Sequence, residues 1–177
     1  VLSIGIANFG LKFADDDATE FAETIVAGTS PFFNHPEPPK VLVNEAATRR
    51  AILDGMSWLK KQMTDLDLAV IFYSGHGAVE DGDYYLISHD VNLDSLFSTA
   101  VQSNQIKGFL RQLPGRKLLL LDACHAGAAG DKAIGSLKDQ LVRELLTAEN
   151  GLIVGCSSMG SEVSRESDEF EQGLFTK

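Results

Sequence analysis

Leu119-Leu120-Leu121-Asp122-Ala123-Cys124-His125-Ala126-Gly127 joins a run of consecutive apolar residues to a short polar segment, and Ile71-Phe72-Tyr73-Ser74-Gly75-His76-Gly77 repeats the plan earlier in the chain. The apolar runs, 68–73 and 117–121, do not alternate with polar residues. They read as central strands covered on both faces, the pattern of a parallel sheet. In such sheets the functional groups collect at the carboxyl ends of the strands, so a histidine and a cysteine are expected just beyond the two strands. If the strands are neighbours, their backbones lie ~4.8 Å apart and the thiol and imidazole come within reach of each other.

Outward from these two stretches the chain alternates strand-length apolar runs with helix-period segments. A strand at 1–7 precedes a helix at 15–26, which begins with acidic residues and carries Phe21, Ala22 and Ile25 on one face. A strand at 40–43 leads to a helix capped near Thr48, with Ile52, Leu53, Met56 and Leu59 as its buried face. The spacing then predicts a hairpin over 78–87 turning at Asp81-Gly82, and a helix of two to three turns ending near Leu113, before Pro114-Gly115. A further helix carries Leu137, Leu141, Leu145 and Leu146, and a last strand covers 151–156. The Pro-rich stretch 30–39 reads as a surface loop. The βαβ alternation argues for an α/β sandwich, a mostly parallel sheet with helices on both faces.

Composition narrows the function. A chain of 177 residues with 44% apolar and 23% charged residues is an ordinary globular domain with enough length to bury a core. No apolar run approaches the ~20 residues of a membrane span, so no membrane partner is expected. Twenty-five acidic against 15 basic residues give a net charge of −10 and no basic run to neutralise a phosphate backbone, so no nucleic acid is expected either. Two cysteines, Cys124 and Cys156, form no disulfide framework, and a reducing cytoplasm is the expected location. The chain begins at Val1 inside an apolar run and stops just after Gly173-Leu174-Phe175-Thr176, which reads as a segment of something longer.

Taken singly, Cys124 is a small core residue and His76 a turn residue. Taken together at equivalent ends of two buried strands, they form the pair a thiol nucleophile needs. The imidazole favours the thiolate and later supplies a proton to the leaving group. Flanking glycines let backbone N–H groups approach a developing oxyanion. His76, Cys124, His125 and Cys156 lack the paired spacing of a structural zinc site.

The motifs Tyr73-Ser74-Gly75-His76-Gly77 and Asp122-Ala123-Cys124-His125-Ala126-Gly127 resemble those of the caspase, paracaspase and metacaspase superfamily of cysteine peptidases. Supporting segments are Asp17-Ala18, the stretch from Tyr84-Tyr85-Leu86-Ile87 to Asp90, and Gly173-Leu174-Phe175-Thr176. In caspases the histidine lies about 50 residues before the cysteine; here the separation from 76 to 124 is 48. Asp122 stands where caspases have Gln, and His125 where Arg is common, so the pattern is similar to that of metacaspases and bacterial caspase-like proteins.

The resemblance implies a caspase-like three-layer sandwich over 1–177, a single catalytic domain cut at both ends, lacking its final helix and strand, with further domains in the same chain. It implies a cysteine endopeptidase acting on protein or peptide substrates, with Cys124 as nucleophile, His76 as general acid and base, and the N–H groups of Gly77 and Cys124 as the oxyanion hole. Asp17 and Asp122 would bind an Arg or Lys of the substrate; carboxylates suit a guanidinium and repel an acidic side chain. Leu11 stands where caspases carry an Arg for recognition of Asp. Asp15 and Asp16 are read as favouring a helix N-terminus. No cofactor is expected; Glu80-Asp81-Gly82-Asp83 reads as turn chemistry first, with calcium of the kind that activates many metacaspases as the alternative. Competing functions are a caspase-like peptidase of other specificity such as Asp, a catalytically silent interaction module, and a Rossmann-like small-molecule binder. The last lacks a Gly-x-Gly-x-x-Gly turn, since Asn8-Phe9-Gly10 follows the first strand.

Overall fold

The structure, a computed structural model, describes residues 1–33, 37–125, 142, 151–156, 166–167 and 172–173. The elements in order are β1 (Leu2–Gly5), α1 (Ala14–Thr29), β2 (Lys40–Val43), a short 3-10 turn (Asn44–Ala46), α2 (Arg49–Gln62), β3 (Leu68–Glu80), β4 (Asp83–Leu86), α3 (Leu96–Thr99), β5 (Val101–Gln102), α4 (Ser103–Leu110), β6 (Arg116–His125), β7 (Leu152–Cys156), β8 (Glu166–Ser167) and β9 (Gln172–Gly173). Seven strands form one sheet. Its parallel part runs β2-β1-β3-β6-β7, and β4 and β5 extend it as an antiparallel flap.

β3 organises the sheet because it changes partners along its length. Residues 71–74 pair with β1, and residues 77–80 pair with β4 on that same edge, while β6 runs beside 68–77 on the other edge. The strand is therefore 13 residues long. None of its three partners spans its full length, and His76 and Cys124, expected beyond the strand ends, instead lie inside longer strands. Asp81 and Gly82 turn the hairpin with φ of 51° and 85°. This is the left-handed pair that a two-residue connection needs to match strand twist.

Side-chain alternation assigns the faces. Ser3 Oγ donates to the Ala18 carbonyl at 2.6 Å, and Phe72, its neighbour in register, stacks on Phe21 with ring centroids 4.4 Å apart. α1 thus covers the face that carries Ser3, Phe72 and the residues in step with them. α2 and α4 cover the other face, where Ile52, Met56, Leu59, Ile106 and Leu110 pack on Leu2, Ile71, Tyr73, Leu119 and Leu121 in the main core. Gly5 allows α1 its close approach, since a Cβ there would meet the Ala14 carbonyl oxygen and lie 2.6 Å from the Ala18 Cβ. Thr48 caps α2 as expected, its hydroxyl accepting from Ala51 N–H at 3.1 Å.

The later part of the chain adds detail to these expectations. α4 ends at Leu110 and the chain reaches Leu113 by turn bonds, Gln112 N–H to Phe109 and Leu113 N–H to Leu110. Gly173 pairs with Glu166 in the β8–β9 ribbon, and residues 174–177 lie outside the described residues. α3 and β5 had no periodicity long enough to announce them. The expected helix carrying Leu137, Leu141, Leu145 and Leu146 lies outside the described residues. Among the described residues no helix is long and apolar enough to cross a membrane.

Candidate active site

The two central strands bring the expected pair together. In the parallel register of β3 and β6, Ser74 faces Asp122, Gly75 faces Ala123, His76 faces Cys124 and Gly77 faces His125. Adjacent parallel strands set such partners ~4.8 Å apart at the backbone.

His76 is 5% exposed. Its Nε2 lies 3.2 Å from the backbone oxygen of Asn8. A carbonyl only accepts, so Nε2 donates, and in the neutral ring Nδ1 is left as the unprotonated nitrogen. That Nδ1 is buried and has no hydrogen-bond partner among the described residues. The ring is further bounded by Phe9, whose centroid is 6.1 Å away at a tilt of 57°. The site therefore holds an imidazole oriented through Nε2, with Nδ1 buried and unpartnered among the described residues.

The Asn8 carbonyl and the Phe9 ring were not legible in the sequence. A main-chain oxygen has no residue signature, and Asn8-Phe9-Gly10 registered only as the absence of a nucleotide-binding turn. Its true content is a tight turn, with Phe9 and Gly10 at φ of 48° and 97° and Leu11 N–H donating to the Asn8 oxygen at 3.0 Å. Leu11 itself is half-buried within this loop.

The glycines beside His76 have a packing cause of their own. A Cβ on Gly75 would lie 2.7 Å from the Tyr73 hydroxyl, and one on Gly77 would collide with the Tyr84 hydroxyl. Tyr73 Oη also lies 2.7 Å from the His76 carbonyl oxygen and 2.9 Å from that of Ile87, bridging β3 to the residue after β4. The Tyr-Ser-Gly-His-Gly motif thus supports the histidine strand from the face opposite the imidazole.

Asp17 and Asp122 come to one side of the sheet. Ser74 pairs with Gly5 on one edge and Asp122 on the other, and Gly5 faces α1. Asp122 therefore belongs to the α1 face, and Asp17 lies on the buried stripe of α1 with Ala14, Ala18 and Ala22. The two carboxylate residues are 1% and 4% exposed. Asp15, by contrast, accepts a hydrogen bond from Asn44 Nδ2 at 2.7 Å, and Asp16 is exposed. Glu80 and Asp83 are opposed in register across the Asp81-Gly82 turn. Among the described residues no group of three or more His, Cys, Asp or Glu side chains is placed to hold a metal ion.

Comparison with known proteins yields three findings. The profile of the family described as "Caspase domain" matches residues 1–177. No curated protein matches at a significant level. The crystal structure of a protein from Geobacter sulfurreducens, a structural-genomics target, is similar over 99% of this chain and 77% of its own, with a TM-score of 0.68 at 16% sequence identity. That likeness establishes the shared fold.

Proposed function

The chain belongs to the caspase-domain family of cysteine peptidases, and from that premise we propose that it hydrolyses peptide bonds after arginine or lysine, with Cys124 and His76 as its catalytic pair. The observation that carries this reading is the placement of Cys124 opposite His76 in the strand register, with His76 Nε2 engaged by Asn8 and Nδ1 without a partner among the described residues.

In this mechanism the Cys124 thiolate attacks the scissile carbonyl carbon, and the carbonyl electron pair moves to oxygen. The N–H groups of Gly77 and Cys124 receive that oxyanion. His76, protonated on Nδ1, delivers the proton to the departing amide nitrogen as the C–N bond breaks, leaving a thioester. His76 then takes a proton from water, the hydroxide adds to the thioester carbon, and the carboxylic acid leaves as the C–S bond breaks.

Asp122 and Asp17 supply the specificity. Two carboxylates on the α1 face, shielded from solvent, attract a cationic side chain more strongly than exposed ones would, because little water or salt screens them. They oppose an acidic side chain for the same reason. Fluorogenic peptides differing only in Arg, Lys, Asp or Ala before the scissile bond test the assignment: Arg and Lys substrates are expected to be cleaved, and a preference for Asp would refute it. The substrates are proteins or peptides, and calcium is not needed for any step above.

A further inference from the structure

We propose that Asn44 is a positioning residue for His76, acting through the loop that presents the Asn8 carbonyl to the imidazole; its catalytic consequence rests on the reading of His76 as acid and base. Asn44 follows β2 with φ of 46°, a left-handed conformation that Asn tolerates better than most residues. From there its amide makes two bonds. Oδ1 accepts from Ala7 N–H at 2.9 Å, and Nδ2 donates to Asp15 Oδ2 at 2.7 Å. An N–H on one side and a carboxylate on the other permit only one orientation of the amide.

Those two partners bracket the loop that matters. Ala7 is the residue before Asn8, and Asp15 lies in the first turn of α1. The β1–β3 pairing ends at Gly5, followed by Ile6 N–H to the Ser74 oxygen at 3.0 Å. Past that point Asn44 holds both ends of the segment in which Asn8, Phe9 and Gly10 form their tight turn. The Asn8 oxygen, fixed by Leu11 N–H at 3.0 Å, is then set 3.2 Å from His76 Nε2. Three residues with positive φ, at 9, 10 and 44, lie in this one assembly.

Three variants of the full chain test the inference: Asn44→Gly, Asn44→Asp, and Asn44→Asp combined with Asp15→Asn. Glycine accepts the positive φ, so Asn44→Gly removes the amide without straining the backbone. Asn44→Asp keeps the acceptor for Ala7 N–H but sets a carboxylate against Asp15. The exchanged pair restores the bond between positions 44 and 15 with donor and acceptor reversed and keeps the one from Ala7 N–H. Two readouts are taken, the His76 tautomer by nitrogen-15 NMR and kcat and KM on an Arg peptide. The wild type is expected to carry its neutral-ring proton on Nε2, whereas Asn44→Gly and Asn44→Asp mix the tautomers. In those two variants kcat falls by ~10- to 100-fold with KM changed by less than about twofold, and the exchanged pair recovers both signals.

An unchanged tautomer and kcat in Asn44→Gly, or an exchanged pair no better than Asn44→Asp in either readout, would overturn the proposal. A wild type that cleaves no peptide, but whose His76 tautomer still follows the series, would uphold the positioning role and remove the peptidase reading. An active wild type with one tautomer throughout the series would do the reverse.

Discussion

Cys124 stands opposite His76 in the register of two parallel strands that remain paired for ten consecutive positions. Because the pairing continues through Gly77 and His125, the two residues sit within paired strands and not in the loops beyond them. The first prediction follows directly. Cys124→Ala and His76→Ala should each reduce turnover of an Arg peptide by at least ~10⁴-fold, with the fold retained by circular dichroism. Turnover surviving in Cys124→Ala, with contaminating peptidases excluded by active-site titration, would contradict the assignment.

Asp122→Asn should reduce kcat/KM on Arg substrates by ~10- to 100-fold, the equivalent of about 1.5 to 3 kcal/mol for a charge-assisted hydrogen bond. On a substrate with Ala before the scissile bond the loss should be much smaller, since the catalytic pair is untouched. Equal losses on both substrates would place Asp122 in the scaffold and not in recognition.

Two glycines offer a contrast in stability. At Gly5 a Cβ would press on the Ala14 carbonyl and Ala18, so Gly5→Ala should lower stability by ~1 to 3 kcal/mol as α1 is pushed off the sheet. At Gly28, within α1, a Cβ meets nothing within 4 Å. Gly28→Ala should therefore stabilise by up to ~0.5 to 1 kcal/mol. Thermal melts of the two variants measured side by side should move in opposite directions.

The Asp67 carboxyl is held below its ordinary range by the hydroxyl and N–H of Thr64, at 2.8 and 2.7 Å. A depressed folded-state pKa means that the ionised form favours the folded chain. The contribution is present above the unfolded carboxylate range and is lost as pH falls through the lower folded value. Asp67 is half-buried and its bonds to Thr64 lie at the surface, so the effect is small. Asp67→Ala should melt slightly below the wild type at neutral pH, and the gap should close under strongly acidic conditions. A gap that persists there would trace the loss to loop packing.

Much of the architecture was legible because it rests on local rules. Consecutive apolar residues at 68–73 and 118–121 announced doubly covered strands, Thr48 announced a helix start, and Asp81-Gly82 announced a two-residue turn. The types of the reactive side chains, and their equal distance along two similar strands, were also written in the chain. The register was not. A slip of one residue between β3 and β6 would move His76 to the opposite row from Cys124, and only side-chain packing on both faces selects among such registers. The partner exchange along β3 depends on where β1 stops and β4 begins, so the strand outran its apolar run. The same holds for the atoms that orient His76: the Asn8 carbonyl, the Asn44 amide and the Tyr73 hydroxyl come from three separate elements. Sequence determined which groups the site contains, through their chemistry and local periodicity. Tertiary structure alone decided which nitrogen of the imidazole is left open, because a hydrogen bond between residues 8 and 76 exists only once the sheet has closed around it.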